Sequence, residues 1–290
     1  MLSDEAMSRH TSYRIGGPAD YFYRAADLEE LRAILQELAQ AGLPYFVCGK
    51  GSNLLVSDAG YRGAIITLGK GFKTVEVVAE VGPKVRVKVG AGLLLAELCQ
   101  RCYKLSLSGM EFAVGIPGTI GGALAMNAGT KDGAIGDRVH QLWTLDRLGI
   151  TRSYTAQQMA FGYRESSLAP GEVVVAAELE LAHGIAATIR ERMNQSFAAR
   201  QASQPLGKAS CGSVFKNPPG DSAGRLIEAC GLKGYRIGGA EVSQKHANFI
   251  INQGNASASE VLALIVYIQD QVETKYGQKL QPEVKFLGFN

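Results

Sequence analysis

Two glycine-rich stretches carry the residue types and spacing best suited to chemistry. The first, Cys48-Gly49-Lys50-Gly51-Ser52-Asn53, follows the apolar run Tyr45-Phe46-Val47 and leads into Leu54-Leu55-Val56. A P-loop would need Ser or Thr after Gly-Lys, where this chain has Gly51. A dinucleotide fingerprint would need a third glycine and then a helix, where this chain has Leu54 and strand-like residues. What is left is a tight strand–loop–strand turn, either a plain glycine turn or a nest of bare amides able to hold an anion. The second stretch, Gly115-Ile116-Pro117-Gly118-Thr119-Ile120-Gly121-Gly122, runs on through Ala123-Leu124-Ala125-Met126-Asn127-Ala128-Gly129. Glycine permits close backbone approach and positive φ, and the amides after Gly121 are expected to open a short helix. Such loops suit a pyrophosphate and the edge of a planar cofactor.

The remaining chemistry-bearing types point away from metal. Cys99-x-x-Cys102 is a single pair, whereas a structural zinc needs four ligands, and no thioredoxin-like pattern surrounds it. We expect both thiols to be buried and structural. None of the four histidines has the i, i+4 spacing of a helical metal pair, so no metal site is expected. The five cysteines are odd in number and irregularly placed, which argues against a disulfide framework.

Charge and composition exclude several classes. The net charge is +3 with a sequence pI near 8.5, and no Lys/Arg cluster is present. A dedicated nucleic-acid binder would be more basic than this. The longest apolar run, residues 261–268, is far shorter than a membrane span. Residues 1–10 lack the apolar segment of a secretory signal, so a cytoplasmic protein is expected. At 290 residues the chain is long enough for two or three compact units and needs no staple. Its 35 glycines exceed the usual share of ~7% and cluster, as expected of special backbone geometry at sites.

The elements that must position these loops can be read from periodicity. Residues 27–42 form a helix by the spacing of Leu28, Leu31, Ile34, Leu35 and Leu38, with Asp27 and Glu30 as a capping box. Strands are expected at 45–48, 54–56 and 65–68, giving a small α+β unit to about residue 70. A second unit begins with strands at 75–78 and 85–89 and a helix over 93–104, with further strands at 139–145 and 173–181. Residues 185–201 form a connecting helix. The third unit has helices over 223–230 and 257–276, the latter capped by Ser257 and Glu260, and strands at 249–251 and 284–287.

Taken in order, the motifs resemble one family. They are His10-Thr11 with Gly16-Gly17, residues 49–56, residues 115–129, Phe161-Gly162-Tyr163-Arg164-Glu165-Ser166 and Cys211-Gly212-Ser213-Val214-Phe215-Lys216-Asn217-Pro218. Val242-Ser243-Gln244-Lys245-His246-Ala247-Asn248-Phe249 and Pro282-Glu283-Val284 complete the set. Over nearly its whole length the chain resembles the UDP-N-acetylenolpyruvoylglucosamine reductases, flavoproteins of the vanillyl-alcohol-oxidase (PCMH) type. The resemblance implies an α+β fold: a two-subdomain FAD-binding domain (1–70 and 71–187), then a smaller α+β substrate-binding domain (188–290) whose C-terminal strand returns to the active site. It implies non-covalent FAD, NADPH as hydride donor, and reduction of an enolpyruvyl UDP-sugar in peptidoglycan precursor synthesis. The partners it implies are small molecules, without nucleic acid or membrane, acting on a monomer.

By the same resemblance Arg164, Ser213 and Glu283 are catalytic, and Lys216 and Asn217 lie near the UDP moiety. Gly49, Lys50, Gly51, Ser52, Asn53, Leu54, Gly115, Ile116, Pro117, Gly118, Thr119, Gly121, Gly122 and Asn127 are expected to hold FAD. Without the family pattern, Arg164 reads equally as a surface ion-pair partner of Glu165, Ser213 as a turn hydroxyl, and Glu283 as the solvent face of a strand. Ala125 stands where many relatives carry an aromatic. The segment between Leu181 and Ile185 is too short for the tyrosine-bearing loop of one branch, so the chain resembles the shorter branch. The rivals are a same-fold flavin oxidase acting on another substrate and a non-catalytic nucleotide-binding module. Neither would need the Arg164, Ser213 and Glu283 constellation.

Overall fold

The computed structural model describes residues 1–289. Two compact units account for them. The first comprises Met1 with residues 22–49 and 63–199, and the second residues 2–21, 50–62 and everything from 200 onward. The three consecutive segments expected above therefore cross this division: 2–21 and 50–62 group with the C-terminal residues.

The first unit is built on an antiparallel sheet. Its strands run in the order Thr151–Thr155, Val139–Leu145, Val173–His183, Lys84–Gly90 and Val75–Val81, and Leu107–Ser108 pairs with the end of the longest. Alternation puts Val85, Val87 and Val89 on one face, where they are buried with Leu142, Ala177 and Leu179. Four helices belong to the same part of the chain. In α1 (Leu28–Gln40) the Asp27 carboxylate accepts the Glu30 amide as expected, while Glu30 reaches back one residue further, to the Ala26 amide. In α2 (Leu95–Lys104) the buried side chains are Leu95, Leu98, Cys99 and Cys102. The short α3 is Ile120–Ala125. In α4 (Ala186–Ser203), Ile189 and Met193 are buried and belong to this core. A parallel pair aligns Tyr45–Val47 with Ala64, Ile65 and Ile66 and aims the chain into the first glycine loop.

The second unit has a mixed core. Tyr13, Ile15, Leu55, Val214 and Phe215 pack with α5 (Ala223–Ala229) and α6 (Ala258–Tyr276), which contribute Leu226, Ile227, Val261, Leu264, Ile265 and Ile268. A three-stranded antiparallel sheet orders Arg236–Ile237, Ala240–Val242 and Ile250–Asn252. Lys285–Leu287 pairs in parallel with Leu54–Val56. The capping box of α6 forms as the sequence predicts, and Gly277 ends the helix at φ 64°. Asp58 adds a second acceptor at the same end: its carboxylate accepts from the Ala258 and Ser259 amides and the Ser259 hydroxyl.

Strands Leu2–Ala6, Pro18–Ala25 and Thr151–Thr155 are absent from the sequence reading. Leu2–Ala6 and Thr151–Thr155 are polar and largely exposed, so they bury no alternating face to betray them.

Cys99 and Cys102 are buried, and the Cys99 thiol donates to the Met110 carbonyl at 3.4 Å. Burial pushes both thiols up to about 12, and nearby Glu111 adds to it. No group of three His, Cys, Asp or Glu among the described residues is placed to hold a metal ion. No helix among them is long and apolar enough to cross a membrane. A thiol held protonated and inaccessible is a poor nucleophile. Native protein treated with iodoacetamide at pH 8 should stay unlabelled at Cys99 and Cys102, as read by peptide mass spectrometry, and label at both once unfolded.

Candidate active site

In the first unit, the Cys48 amide donates to Ile66, the last ladder bond before the glycine loop. Gly49 then passes so close to Thr119 that an added Cβ would lie 2.4 Å from its Oγ1. Contact between the two glycine stretches thus requires glycine at 49. Thr119 is the N-cap of α3 and accepts the Gly122 amide. The amides of Ile120 and Gly121 donate to the carbonyls of Leu93 and Ala91, both at 2.8 Å. This corrects the expectation that the amides after Gly121 open the helix towards a pyrophosphate. The helix opens at Ile120, and its first amides hold it against the chain that follows strand Lys84–Gly90. The open groups lie elsewhere. Among the described residues, no protein acceptor takes the amides of Gly49, Lys50 or Gly51. Gly51 has φ 60°, so these successive N–H groups belong to a turn of the anion-nest kind. That arrangement fits the charge of a pyrophosphate-bearing cofactor.

Arg164 sits at the tip of a four-residue turn closed by main-chain bonds between Gly162 and Glu165. Its φ is 59°, a conformation unusual for a residue with a side chain. Its Nη2 donates to the Gly129 carbonyl at 3.0 Å, and the guanidinium lies 5.3 Å from the centre of the Tyr163 ring. Asn127, also at positive φ and buried, donates from Nδ2 to the Gly162 carbonyl and accepts the Gly136 amide at Oδ1. The Ser166 hydroxyl donates to the Ala125 carbonyl. Three bonds thus fasten the Arg164 turn to residues 125–129, directly behind α3.

In the second unit, residues 214–216 pair with 281–283. Glu283 donates its amide to the Val214 carbonyl at 2.7 Å, Phe215 bridges Pro282, and the Lys216 amide donates to Gln281. The Glu283 carbonyl accepts from Asn53 Nδ2, and the Asn53 carbonyl accepts from Lys285. The end of the glycine loop, with Ser52 and Leu54 on either side of Asn53, is thereby joined to Glu283 and to the start of strand Lys285–Leu287. Ser213 follows Gly212, whose φ is 81° and which has open space where a Cβ would be. The Ser213 hydroxyl engages no protein partner among the described residues. Behind it, Cys211 is buried against the Tyr13 phenol. Burial holds the thiol up at about 12 and the Glu283 charge adds to it, so the thiol is neutral at pH 7. Asn217 Oδ1 accepts the Ala223 amide at the start of α5.

The expected site residues therefore form two groups, each described within its own unit. Gly49, Gly115, Ile116, Pro117, Gly118, Thr119, Gly121, Gly122, Asn127 and Arg164 belong to the first, and Lys50, Gly51, Ser52, Asn53, Leu54, Ser213, Lys216, Asn217 and Glu283 to the second.

Known proteins are similar to this chain over nearly its whole length. Residues 19–153 match the family described as FAD binding domain, and residues 204–287 match the UDP-N-acetylenolpyruvoylglucosamine reductase C-terminal domain. A UDP-N-acetylenolpyruvoylglucosamine reductase from Alkalilimnicola ehrlichii is 46% identical over 98% of this chain and 93% of its own. The chain belongs to the UDP-N-acetylenolpyruvoylglucosamine reductase family. A second member, from Geobacter sulfurreducens, is 44% identical over 99% of this chain and 94% of its own. The crystal structure of the Thermus caldophilus reductase superimposes with a TM-score of 0.88, at 37% identity and 99% coverage of both chains. The α+β FAD-binding fold expected from the motifs is thereby confirmed for this reductase-family chain.

What the sequence reading missed is how the loops are held. Asn248 stands in the apolar run Ala247-Asn248-Phe249-Ile250-Ile251 and is buried with it. A lone amide inside such a run is the signal, because a buried amide must find partners.

Gly51 tests the first loop. At φ 60° an alanine costs roughly 1–2 kcal/mol, and its Cβ would lie 2.1 Å from the His10 carbonyl oxygen. Gly51→Ala should lower the melting temperature by several degrees and the FAD content of purified protein, measured by calorimetry and the flavin absorbance. Gly82→Ala, with a similar φ of 60° but open surroundings, should leave FAD content unchanged.

Proposed function

We propose that this chain reduces the enolpyruvyl ether of UDP-N-acetylglucosamine enolpyruvate to UDP-N-acetylmuramate, for peptidoglycan precursor synthesis, with FAD and NADPH. Full-length similarity to the reductases supports the reaction, and the match to the FAD binding domain supports the cofactor. When bound, FAD supplies a carrier that takes a hydride from NADPH and delivers it to the terminal enolpyruvyl carbon. The amides of Gly49, Lys50 and Gly51, with Ser52, Asn53, Leu54 and residues 115–119, would hold it.

The protein residues act on the charge that hydride addition creates. Negative charge spreads over the neighbouring carbon and a carboxylate that is already charged, so the step is steep unless a cation is fixed nearby. Arg164 supplies that cation. Its guanidinium cannot lose its proton, and its turn and its bond to Gly129 hold it in place. The carbanion is basic enough that a serine hydroxyl suffices as proton donor. Ser213 provides that proton from Oγ. Its uncommitted hydroxyl, beside an open glycine, is the single observation that carries the assignment. Glu283 assists by orientation or, when protonated, by stabilising the enol form, and Lys216 and Asn217 bind the UDP moiety. The same reading has 1–70 and 71–187 carrying FAD and 188–290 the substrate, in a monomeric cytoplasmic enzyme.

Denatured protein should release a yellow, non-covalent flavin. Preparations that stay colourless and cannot be reconstituted with FAD would refute the reading. Ser213→Ala should leave flavin reduction by NADPH nearly unchanged and slow reoxidation by the enolpyruvyl substrate by about 10²–10⁴, or roughly 3–5 kcal/mol. Stopped-flow measurement of both half-reactions checks this. Equal slowing of the two would assign Ser213 to flavin support instead.

A further inference from the structure

We propose that Asn248 is a positioning residue for the proton-transfer step, fixing through its side-chain amide the extended segment that follows Ser213 and pairs with residues 281–283, Glu283 among them. The inference rests on the reading of Ser213 as proton donor given above. It assigns a role to the Lys245-His246-Ala247-Asn248 motif, which the reaction itself leaves unused.

Residues 214 and 215 are held from two sides. On one side the Val214 carbonyl accepts the amides of Glu283 and Val284, and the Lys216 amide donates to Gln281. On the other side the bonds come from Asn248. The Asn248 main-chain carbonyl accepts the Val214 amide at 2.8 Å. Its side-chain Oδ1 accepts the Phe215 amide at 2.9 Å, and its Nδ2 donates to the Phe215 carbonyl at 2.8 Å. A primary amide has the donor and acceptor of a peptide group in similar geometry, so one side chain completes both backbone bonds of Phe215. Phe215 is 1% exposed and Asn248 4%, so neither can exchange these bonds for water.

Asn248 is itself anchored. Its main-chain N–H donates to His246 Nδ1 at 3.2 Å, and the amides of Lys245 and His246 donate to the Ser243 hydroxyl. The His246 ring packs on Phe249 with centroids 4.9 Å apart. The motif is therefore a rigid turn whose tip is the Asn248 amide. Ser213 lies one residue from the clamp and Glu283 one hydrogen bond from it. A proton donor misplaced by about 1 Å loses on the order of 10²-fold in rate.

Asn248→Asp keeps the shape and the acceptor for the Phe215 amide but sets an oxygen against the Phe215 carbonyl. Asn248→Ala removes both bonds. Both half-reactions are followed by stopped flow in holoenzyme, for each variant alone and combined with Ser213→Ala. We expect FAD content and reduction by NADPH within about threefold of the unaltered enzyme, and reoxidation by the enolpyruvyl UDP-sugar slowed about 10–100-fold. In the Ser213→Ala background, where the donor is already gone, the added slowing should be under about threefold. Reoxidation left unchanged in either folded variant, or slowing that multiplies in full onto Ser213→Ala, overturns the proposal. So does loss of flavin, or equal slowing of both half-reactions, in both variants, which makes Asn248 a support of the fold alone. If Ser213→Ala itself leaves reoxidation unchanged, the donor assignment falls first, an outcome distinct from the others.

Discussion

The main chain around the candidate catalytic residues runs irregularly, and each stretch leaves amides and carbonyls that no regular ladder pairs. Buried backbone groups without partners are costly, so something local must complete them. Three asparagines do so here. Asn53 donates to the carbonyl of Glu283, Asn127 to that of Gly162 in the Arg164 turn, and Asn248 to that of Phe215, two residues from Ser213. Each is one side chain fastening one stretch of backbone, and each acts within its own unit. The reactive groups can thus stand on loops, where a sheet or helix would have fixed their directions, and still be held.

The glycines have a related logic. At Gly49 and Gly51 the chain passes so close to Thr119 and to His10 that a side chain cannot fit. Among the described residues, the three successive amides of Gly49, Lys50 and Gly51 have no protein acceptor, and an anion can use them. By contrast the first amides of α3 are closed off by Ala91 and Leu93, although that helix begins in the longer glycine stretch. Glycine density in a sequence marks close approach, and only the hydrogen bonds tell which approach leaves groups open for a ligand.

Elements with a local signature were legible. The α6 helix declares itself by Ser257, Glu260 and Gly277, and strand Val139–Leu145 by its apolar pattern, because both are encoded by neighbours in sequence. The partnership of Leu54–Val56 with Lys285–Leu287 was not, since periodicity reveals that a segment is buried and not what buries it. For that reason the grouping of residues 2–21 and 50–62 with the C-terminal part of the chain was out of reach. The site residues were legible through motif order. Their uncommitted or clamped state, Ser213 against Asn248, depends on contacts that sequence spacing does not report.

The parallel pairing of Leu54–Val56 with Lys285–Leu287 also sets a schedule for biosynthesis. The Asn53 amide and its Glu283 partner are separated by 230 residues. At about 5–20 residues per second, a ribosome takes on the order of tens of seconds to make the intervening chain. Throughout that interval Leu54, Leu55 and Val56, all buried in the finished protein, lack their strand partner, and the sheet of the first unit is complete in sequence at His183, well before that partner is made. Such an unpaired apolar edge is what chaperones recognise and what aggregation exploits. The glycine loop acquires its final shape only when the last strand has been translated, so a nascent chain cannot assemble this loop before its synthesis is nearly finished.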